Sequence, residues 1–233
     1  ARYNKNRRSC RIGKLEVLGE LAEGARAVPG PLQLSYLLEQ DGVAAAWDEL
    51  LGACDALNAI DVAPITIGTR YRWTAAGWFD YLNMRINGPE FHIDLMLLEE
   101  SYTDERVMAV FDAWNELFEH NCFIEDPAAY SWQEALDFMV QGDAAMYLIG
   151  DFVRDSYPDD QEDDLDFFQF PVINPDMPMG EDAPTDGFFI GANATNLDGG
   201  KELLAFMGSQ EVQQMAFDEM GRLPTAHIEK NIK

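Results

Sequence analysis

The chain has 233 residues, with 42 acidic against 16 basic side chains and a formal net charge of −26. An acidic balance of this size argues against nucleic-acid binding, which requires a basic surface, and against binding to anionic membranes. With 47% hydrophobic and 12% aromatic residues, the chain can form the core of one large domain or two modest ones. No apolar run is long enough to span a bilayer.

The start of the chain differs in charge from everything that follows. The first fourteen residues contain no acidic residue and carry Arg2, Lys5, Arg7, Arg8, Arg11 and Lys14. We therefore treat residues 1–43 as an atypical N-terminal segment, either a basic arm, a remnant of cloning or a stretch read out of its ancestral frame. No signal-peptide pattern is present. Because the first residue is not Met, we expect that any targeting segment was cleaved or left out.

Hydrophobic periodicity predicts that helices and strands alternate along the chain. The predicted helices cover 15–26, 44–60, 74–86, 101–121, 131–142, 199–209 and 211–221. The predicted strands cover 28–38, 62–68, 144–150, 164–173 and 187–194. A capping box at Ser131 and Glu134 marks one helix start, Gly142 marks its end, and Asn87-Gly88-Pro89 is a stop signal. The alternation predicts an α/β fold with a mixed or parallel sheet flanked by helices.

The three cysteines are Cys10, Cys54 and Cys122. They form no Cys-x-x-Cys pair and have no histidine at metal spacing, and an odd number does not favour a disulfide scaffold. Cys54 and Cys122 lie in apolar helical contexts, so we expect buried structural thiols there. No metal site and no cofactor are predicted. The acidic run over 158–166 lacks the glycine turn and the terminal Glu of a calcium loop.

Several short motifs follow one another in a recognisable order. They are WDEL at 47–50, GDAAM with GDF over 142–152, the predicted strand after Asp186, and LP at 223–224. This order resembles that of the family-1 extracellular solute-binding proteins, the periplasmic sugar-binding receptors of ABC importers. The resemblance implies a type II periplasmic-binding-protein-like fold. Residues 44–186 would then form the C-terminal lobe, and residues 187–233 would return to the N-terminal lobe and hinge.

One departure from the family is large. Members of the family carry a much longer region before the WDEL helix, and it forms most of the N-terminal lobe. The resemblance therefore implies an incomplete second lobe here. An incomplete lobe exposes apolar strand edges, which favours a homodimer.

The function implied by the resemblance is carbohydrate binding. The chain would hold a mono- or oligosaccharide in an interlobe cleft without chemistry and present it to an ABC transporter membrane permease. Its location would be periplasmic or extracellular. One alternative is a truncated remnant or interaction module that binds no ligand. Another is a glycoside hydrolase, since paired carboxyl groups also suit sugar cleavage.

A saccharide presents apolar ring faces and a rim of hydroxyls, so its site needs aromatic rings and charged or amide groups. The candidate ligand-binding residues are Trp73, Asp151, Phe152, Asp186, Gly187 and Arg222. Each also has an ordinary structural interpretation, namely core packing, the capping of a turn or a surface ion pair.

The candidates have different expected roles. Trp73 opens a helix and would line the cleft. Asp151 would accept hydroxyl hydrogens while Phe152 stacks on a sugar ring. Asp186 would bond hydroxyls beside Gly187, which permits close backbone approach or a positive φ. By resemblance, Arg222 lies near the cleft and would bind a hydroxyl or carboxylate.

Overall fold

The computed structural model describes residues 46–161, 164–182, 187–220 and 224–225. The helix and strand expected within 15–38 lie outside these ranges. Contacts divide the chain into a first unit, Ala1–Ile149 with Ser156–Glu181, and a second unit, Gly150–Asp155 with Asp182–Lys233. The lobe boundaries expected at 43/44 and 186/187 stay predictions.

Seven α-helices and two β-strands form within the described ranges. The helices are α1 (Trp47–Asn58), α2 (Trp73–Asn87), α3 (Pro89–Met96), α4 (Glu105–Glu119), α5 (Trp132–Val140), α6 (Leu197–Met207) and α7 (Gln210–Met220). The strands are β1 (Ala63–Ile65) and β2 (Ala144–Met146), and short 3-10 helices cover Pro127–Ala129 and Asp151–Ser156. No helix in these ranges has the length and apolar content needed to cross a membrane.

Local signals account for the helix ends. The Ser131 hydroxyl accepts from the Glu134 amide at 3.3 Å, and the Glu134 carboxylate accepts from the Ser131 amide at 2.7 Å, which confirms the capping box of α5. Gly142 has a φ of 79° shortly after α5 ends. The stop at Asn87-Gly88 is also confirmed, but Pro89 then begins α3, a helix that the sequence interpretation missed. Proline suits the first helical position because its missing N–H has no partner there.

The sheet is smaller than expected. β1 and β2 pair in parallel, with Ala63 opposite Ala144 and Ile65 opposite Met146. The isolated bridges Ile65–Phe123 and Ala46–Val172 are parallel too, so no antiparallel pairing supports a mixed sheet among the described residues.

Four strand predictions were wrong in extent or kind. The strand expected over 62–68 covers only Ala63–Ile65. The strand expected over 144–150 ends at Met146. Residues 164–173 pair only through Val172. Residues 187–194 form no strand, and they end in a turn in which the Gly191 carbonyl accepts from the Ala194 amide at 3.0 Å. An apolar run that packs as irregular chain has the same sequence pattern as one that joins a ladder.

The core of the first unit lies between the sheet and helices α1, α2 and α4. Its fully buried members include Leu82, Leu117 and Cys54. Cys54 and Cys122 form a disulfide across 68 positions, with their Cα atoms 5.2 Å apart. The expectation of buried positions was right, but the expectation of free thiols was wrong. Cys10 lies outside the described residues.

The second unit has less interior. Helix α6 contains no buried residue, and Leu203 and Phe206 on it are 59% and 52% exposed. Its start is set locally, because the Asn196 side chain accepts from the Gly199 amide at 3.0 Å.

Candidate functional site

The carboxyl ends of β1 and β2 lie at one edge of the parallel sheet. In open parallel sheets, ligands bind outside the carboxyl ends of the strands. Three segments meet here: residues 66–73 after β1, residues 147–149 after β2, and residues 126–132 before α5. We call these three segments the carboxyl edge.

Backbone hydrogen bonds hold the segments together. The Thr66 amide donates to the Met146 carbonyl at 2.9 Å, and the Thr69 amide donates to the Pro127 carbonyl at 2.8 Å. The Arg70 amide donates to the Tyr130 carbonyl at 3.0 Å. The carboxyl edge is therefore fixed by the fold and does not depend on side-chain packing alone.

At Gly68, the backbone of the segment after β1 lies very close to the backbone of Ser131 and Trp132. A Cβ atom at this position would overlap the carbonyl of Ser131 and lie 2.9 Å from the amide nitrogen of Trp132. The Gly68 carbonyl in turn accepts a hydrogen bond from the Thr74 hydroxyl at 2.6 Å. Since the neighbours are backbone atoms that cannot turn away, only glycine fits.

An ion pair between two exposed side chains lies on the edge. The Arg70 guanidinium is 2.7 Å from the Glu134 carboxylate and also donates to the Ala129 carbonyl. The hydrogen bonds from Ser131, followed by the charge of Arg70, hold the pKa of Glu134 below its usual range. The Arg70 guanidinium therefore already has partners within the chain.

Aromatic side chains are concentrated on this edge. Tyr71 is 67% exposed and Trp73 is 44% exposed, while Tyr130, Trp132 and Tyr147 are half-buried. The Tyr147 hydroxyl donates to the Trp132 carbonyl at 3.1 Å, and burial raises the pKa of Tyr147 to about 12. Exposed rings beside fixed backbone groups can bind the apolar face of a ring-shaped ligand.

The sequence interpretation singled out Trp73 but missed the other four aromatics. A signal for Tyr71 was present, because it stands two residues before Trp73 in the loop that follows a predicted strand. Tyr130 and Trp132 flank the capping serine of α5, a position that by itself says nothing about a ligand. Only the long-range backbone bonds of the folded chain place them beside residues 68–73.

The remaining candidates belong to the second unit. Asp151 is exposed and is the first residue of the 3-10 helix, and the half-buried Phe152 ring lies against Gly150. Gly187 is exposed and lacks the positive φ that was one of its two expected uses; the Phe189 ring lies 3.0 Å from where its Cβ would be. Asp186 and Arg222 lie outside the described residues. All these ligand assignments stay predictions.

No group of three or more His, Cys, Asp or Glu side chains is arranged to hold a metal ion in the part of the chain that the structure describes.

Comparison with known families gives a match over most of the chain. A family model for bacterial extracellular solute-binding proteins matches residues 10–214. The chain is 26% identical over 179 residues to an uncharacterized ABC transporter extracellular-binding protein of Pyrococcus horikoshii. That similarity covers 76% of this chain and 39% of the relative, so the chain spans less than half the length of the curated relative it matches.

Solved structures agree on the fold. A chitin oligosaccharide binding protein is 20% identical, with a TM-score of 0.69 over 85% of this chain and 50% of its own. A protein studied for xylan utilisation by the thermophilic bacterium Caldanaerobius polysaccharolyticus is 17% identical, with a TM-score of 0.67 over 79% of this chain and 49% of its own. These two similarities confirm the expected fold class, an α/β periplasmic-binding-protein-like lobe.

A third solved structure is more similar in sequence. The bacterial solute receptor AcbH, described with an exclusive preference for β-D-galactopyranose, is 35% identical with a TM-score of 0.55. The similarity covers 57% of this chain and 33% of the receptor.

Proposed function

Because the chain belongs to the bacterial extracellular solute-binding proteins, we propose that it is the carbohydrate-binding receptor of an ABC importer. It binds a mono- or oligosaccharide without catalysing a reaction and presents it to the membrane permease of the importer. The family places it in an extracellular or periplasmic location. The Cys54–Cys122 disulfide is in keeping with that, since such bonds persist in oxidising compartments.

The observation that carries the proposal is the exposed aromatic surface of the carboxyl edge. Tyr71 and Trp73 are 67% and 44% exposed on loops that the backbone holds in place. Exposed rings also occur elsewhere on the chain, such as Phe167 and Phe189, but Tyr71 and Trp73 lie beside the carboxyl ends of the strands. Rings there match the apolar C–H face of a pyranose. Two of the similar solved proteins are described with saccharide ligands, which supports the same ligand class.

The first test is calorimetric titration of the intact chain with D-galactose, xylo-oligosaccharides and chito-oligosaccharides. We expect heat of binding and a raised melting midpoint with at least one of them, since a ligand of the native state stabilises it. Trp73→Ala should weaken that binding about tenfold, because the stacked ring face is lost. Phe111→Ala removes a ring that is 49% exposed on α4 and packs against Phe79 and Trp114 outside the three segments of the carboxyl edge, so it should leave affinity unchanged.

Two results would contradict the proposal. A folded chain that responds to no saccharide would favour the non-binding remnant or interaction module. Release of reducing sugar from the oligosaccharides would favour the glycoside hydrolase instead. Ligand contacts from Asp151, Phe152, Asp186, Gly187 and Arg222 are part of the same proposal, and alanine variants of the four side-chain-bearing residues test it in the same titration.

The homodimer stays a prediction. Sedimentation of the chain at micromolar concentration would test it, and a single monomeric species would count against it.

A further inference from the structure

Arg72 has an unusual backbone conformation on the carboxyl edge. Its φ is 64° and its ψ is −20°, in the left-handed region. The other described non-glycine residues with positive φ are Asp61, Leu98, Asn121 and Asp126. Asp and Asn tolerate this region, whereas a long side chain such as Arg is strained there. Strain of this kind persists where the surrounding structure enforces it, and it is concentrated at ligand-binding sites.

The neighbouring backbone enforces the conformation. The Arg72 amide donates to the Thr69 carbonyl at 2.9 Å, and the Trp73 amide donates to the Tyr71 carbonyl at 2.8 Å. Thr69 and Arg70 are themselves bonded to the segment before α5. The chain therefore cannot relax at Arg72 without breaking the carboxyl edge.

The side chains of Arg70 and Arg72 are used differently. Arg70 is bonded to Glu134 and to the Ala129 carbonyl. Arg72 is exposed, and within the described ranges no carboxylate or carbonyl bonds to its guanidinium. In sequence it lies between Tyr71 and Trp73, whose rings are both exposed. A strained position that carries an exposed cation, next in sequence to two exposed aromatic residues, has no evident role in the stability of the fold.

We propose that Arg72 contacts the ligand and determines its specificity. Its guanidinium donates two parallel hydrogen bonds to a pair of adjacent oxygens on the saccharide, either a vicinal diol or a carboxylate, while a sugar ring stacks on Trp73 or Tyr71. The planar fork of Arg suits such paired acceptors, and the ammonium of Lys does not. This inference rests on the proposed function and adds a named specificity residue to it.

The test compares Arg72→Gly with wild type in two measurements. Glycine relieves the strain, so the melting midpoint without ligand should rise by about 2–4 °C. It also removes the guanidinium, so the dissociation constant for the best-binding saccharide should increase at least about tenfold. Arg72→Lys keeps the charge but not the fork, and it should lose affinity without gaining stability. If Arg72→Gly does not fold, Arg72→Lys carries the affinity comparison.

Leu98→Gly is the matched control. Leu98 has a φ of 62° and is 79% exposed, but it follows α3 and is not part of the carboxyl edge. This variant should raise the midpoint by a similar amount and leave affinity unchanged. Titration of D-galactose and D-galacturonate side by side distinguishes the acceptors, because a carboxylate contact favours galacturonate and weakens with added salt.

The outcomes separate the inference from the proposed function. If wild type binds a saccharide and Arg72→Gly binds it equally well, the inference is wrong and the proposed function stands. If Arg72→Gly lowers the midpoint, position 72 is not strained and the inference is wrong. If wild type binds none of the saccharides, both are overturned.

Discussion

The two units of the chain differ in how much interior they have. The first unit buries Leu82, Leu117 and Cys54 completely between helices and sheet. In the second unit, helix α6 has no buried residue and exposes Leu203 and Phe206. Folding stability comes mainly from removing apolar surface from water, so the first unit supplies most of it.

The comparison also explains why the carboxyl edge is well defined. All three of its segments belong to the first unit and are bonded to a buried sheet and to α5. A binding surface keeps its geometry when rigid elements hold it. Strain such as that at Arg72 can be kept only where a stable interior enforces it. Substitutions in the first unit should therefore change folding stability strongly. The size of these changes tests whether the first unit supplies most of the stability.

The largest expected effect is loss of the Cys54–Cys122 disulfide, which closes a loop of 68 positions in the first unit. Replacing both residues with Ala should lower the free energy of unfolding by about 4 kcal/mol, because the unfolded chain regains the freedom that the cross-link removes. Urea denaturation measures the difference. Dithiothreitol should destabilise the wild type and not the double variant. Alkylation of both thiols in the unreduced, denatured wild type would show that the bond is absent.

The next effect comes from the buried guanidinium of Arg85 on α2. It is 2% exposed, donates to the Phe170 and Gly180 carbonyls, and lies 2.7 Å from the Glu181 carboxylate. Arg85→Leu leaves the buried acceptors without a donor and should destabilise the first unit by about 2–3 kcal/mol.

Arg106 provides the matched control for Arg85. It is also ion-paired, to Glu100 and Asp104, and lies over the Phe91 ring as Arg85 lies over those of Tyr81 and Phe170. Its side chain, however, is 44% exposed. Solvent screens such pairs, so Arg106→Leu should be hard to distinguish from wild type in the same urea titration. If the two variants were equally destabilised, burial would not be what determines how much an arginine contributes to folding stability.

Local patterns in the sequence were enough for several elements of the first unit. Helix α5 could be predicted to within two residues because its capping box and Gly142 act within one turn of the chain. The start of the strand after α5 could be predicted but its end could not. Met146 and Leu148 are both apolar, and only pairing with β1 distinguishes them. The family resemblance came from the order of several such local motifs.

Long-range contacts account for what could not be predicted. Cys54 and Cys122 are adjacent only because α1 and the end of α4 pack together, and their spacing in sequence carries no sign of it. Tyr130 joins Tyr71 on the carboxyl edge through a backbone bond to Arg70. The left-handed conformation of Arg72 could not be predicted either, because long-range backbone bonds impose it and arginine is not a turn-forming residue.

The smallest expected effect is a loss of stability at alkaline pH. Burial raises the pKa of Tyr147 from 10.0 to about 12, so the folded state favours the protonated phenol. The stabilisation is complete below pH 10 and is lost as the pH rises from 10 to 12, because the unfolded state then releases a proton that the folded state retains. The melting midpoint should fall over this range, and Tyr147→Phe should flatten that part of the profile.

Phenolate absorbance gives the second readout of the same titration. The second unit contains no tyrosine, so the whole signal reports on the first unit. Burial raises the pKa of Tyr147 and, together with the charge of Asp164, that of Tyr157, so both phenols should ionise late in the folded wild type. Tyr147→Phe should remove part of this late component. If the late component is undiminished in that variant, Tyr147 does not resist ionisation. The carboxyl edge around Tyr147 would then be more open to water than the hydrogen bond to Trp132 requires.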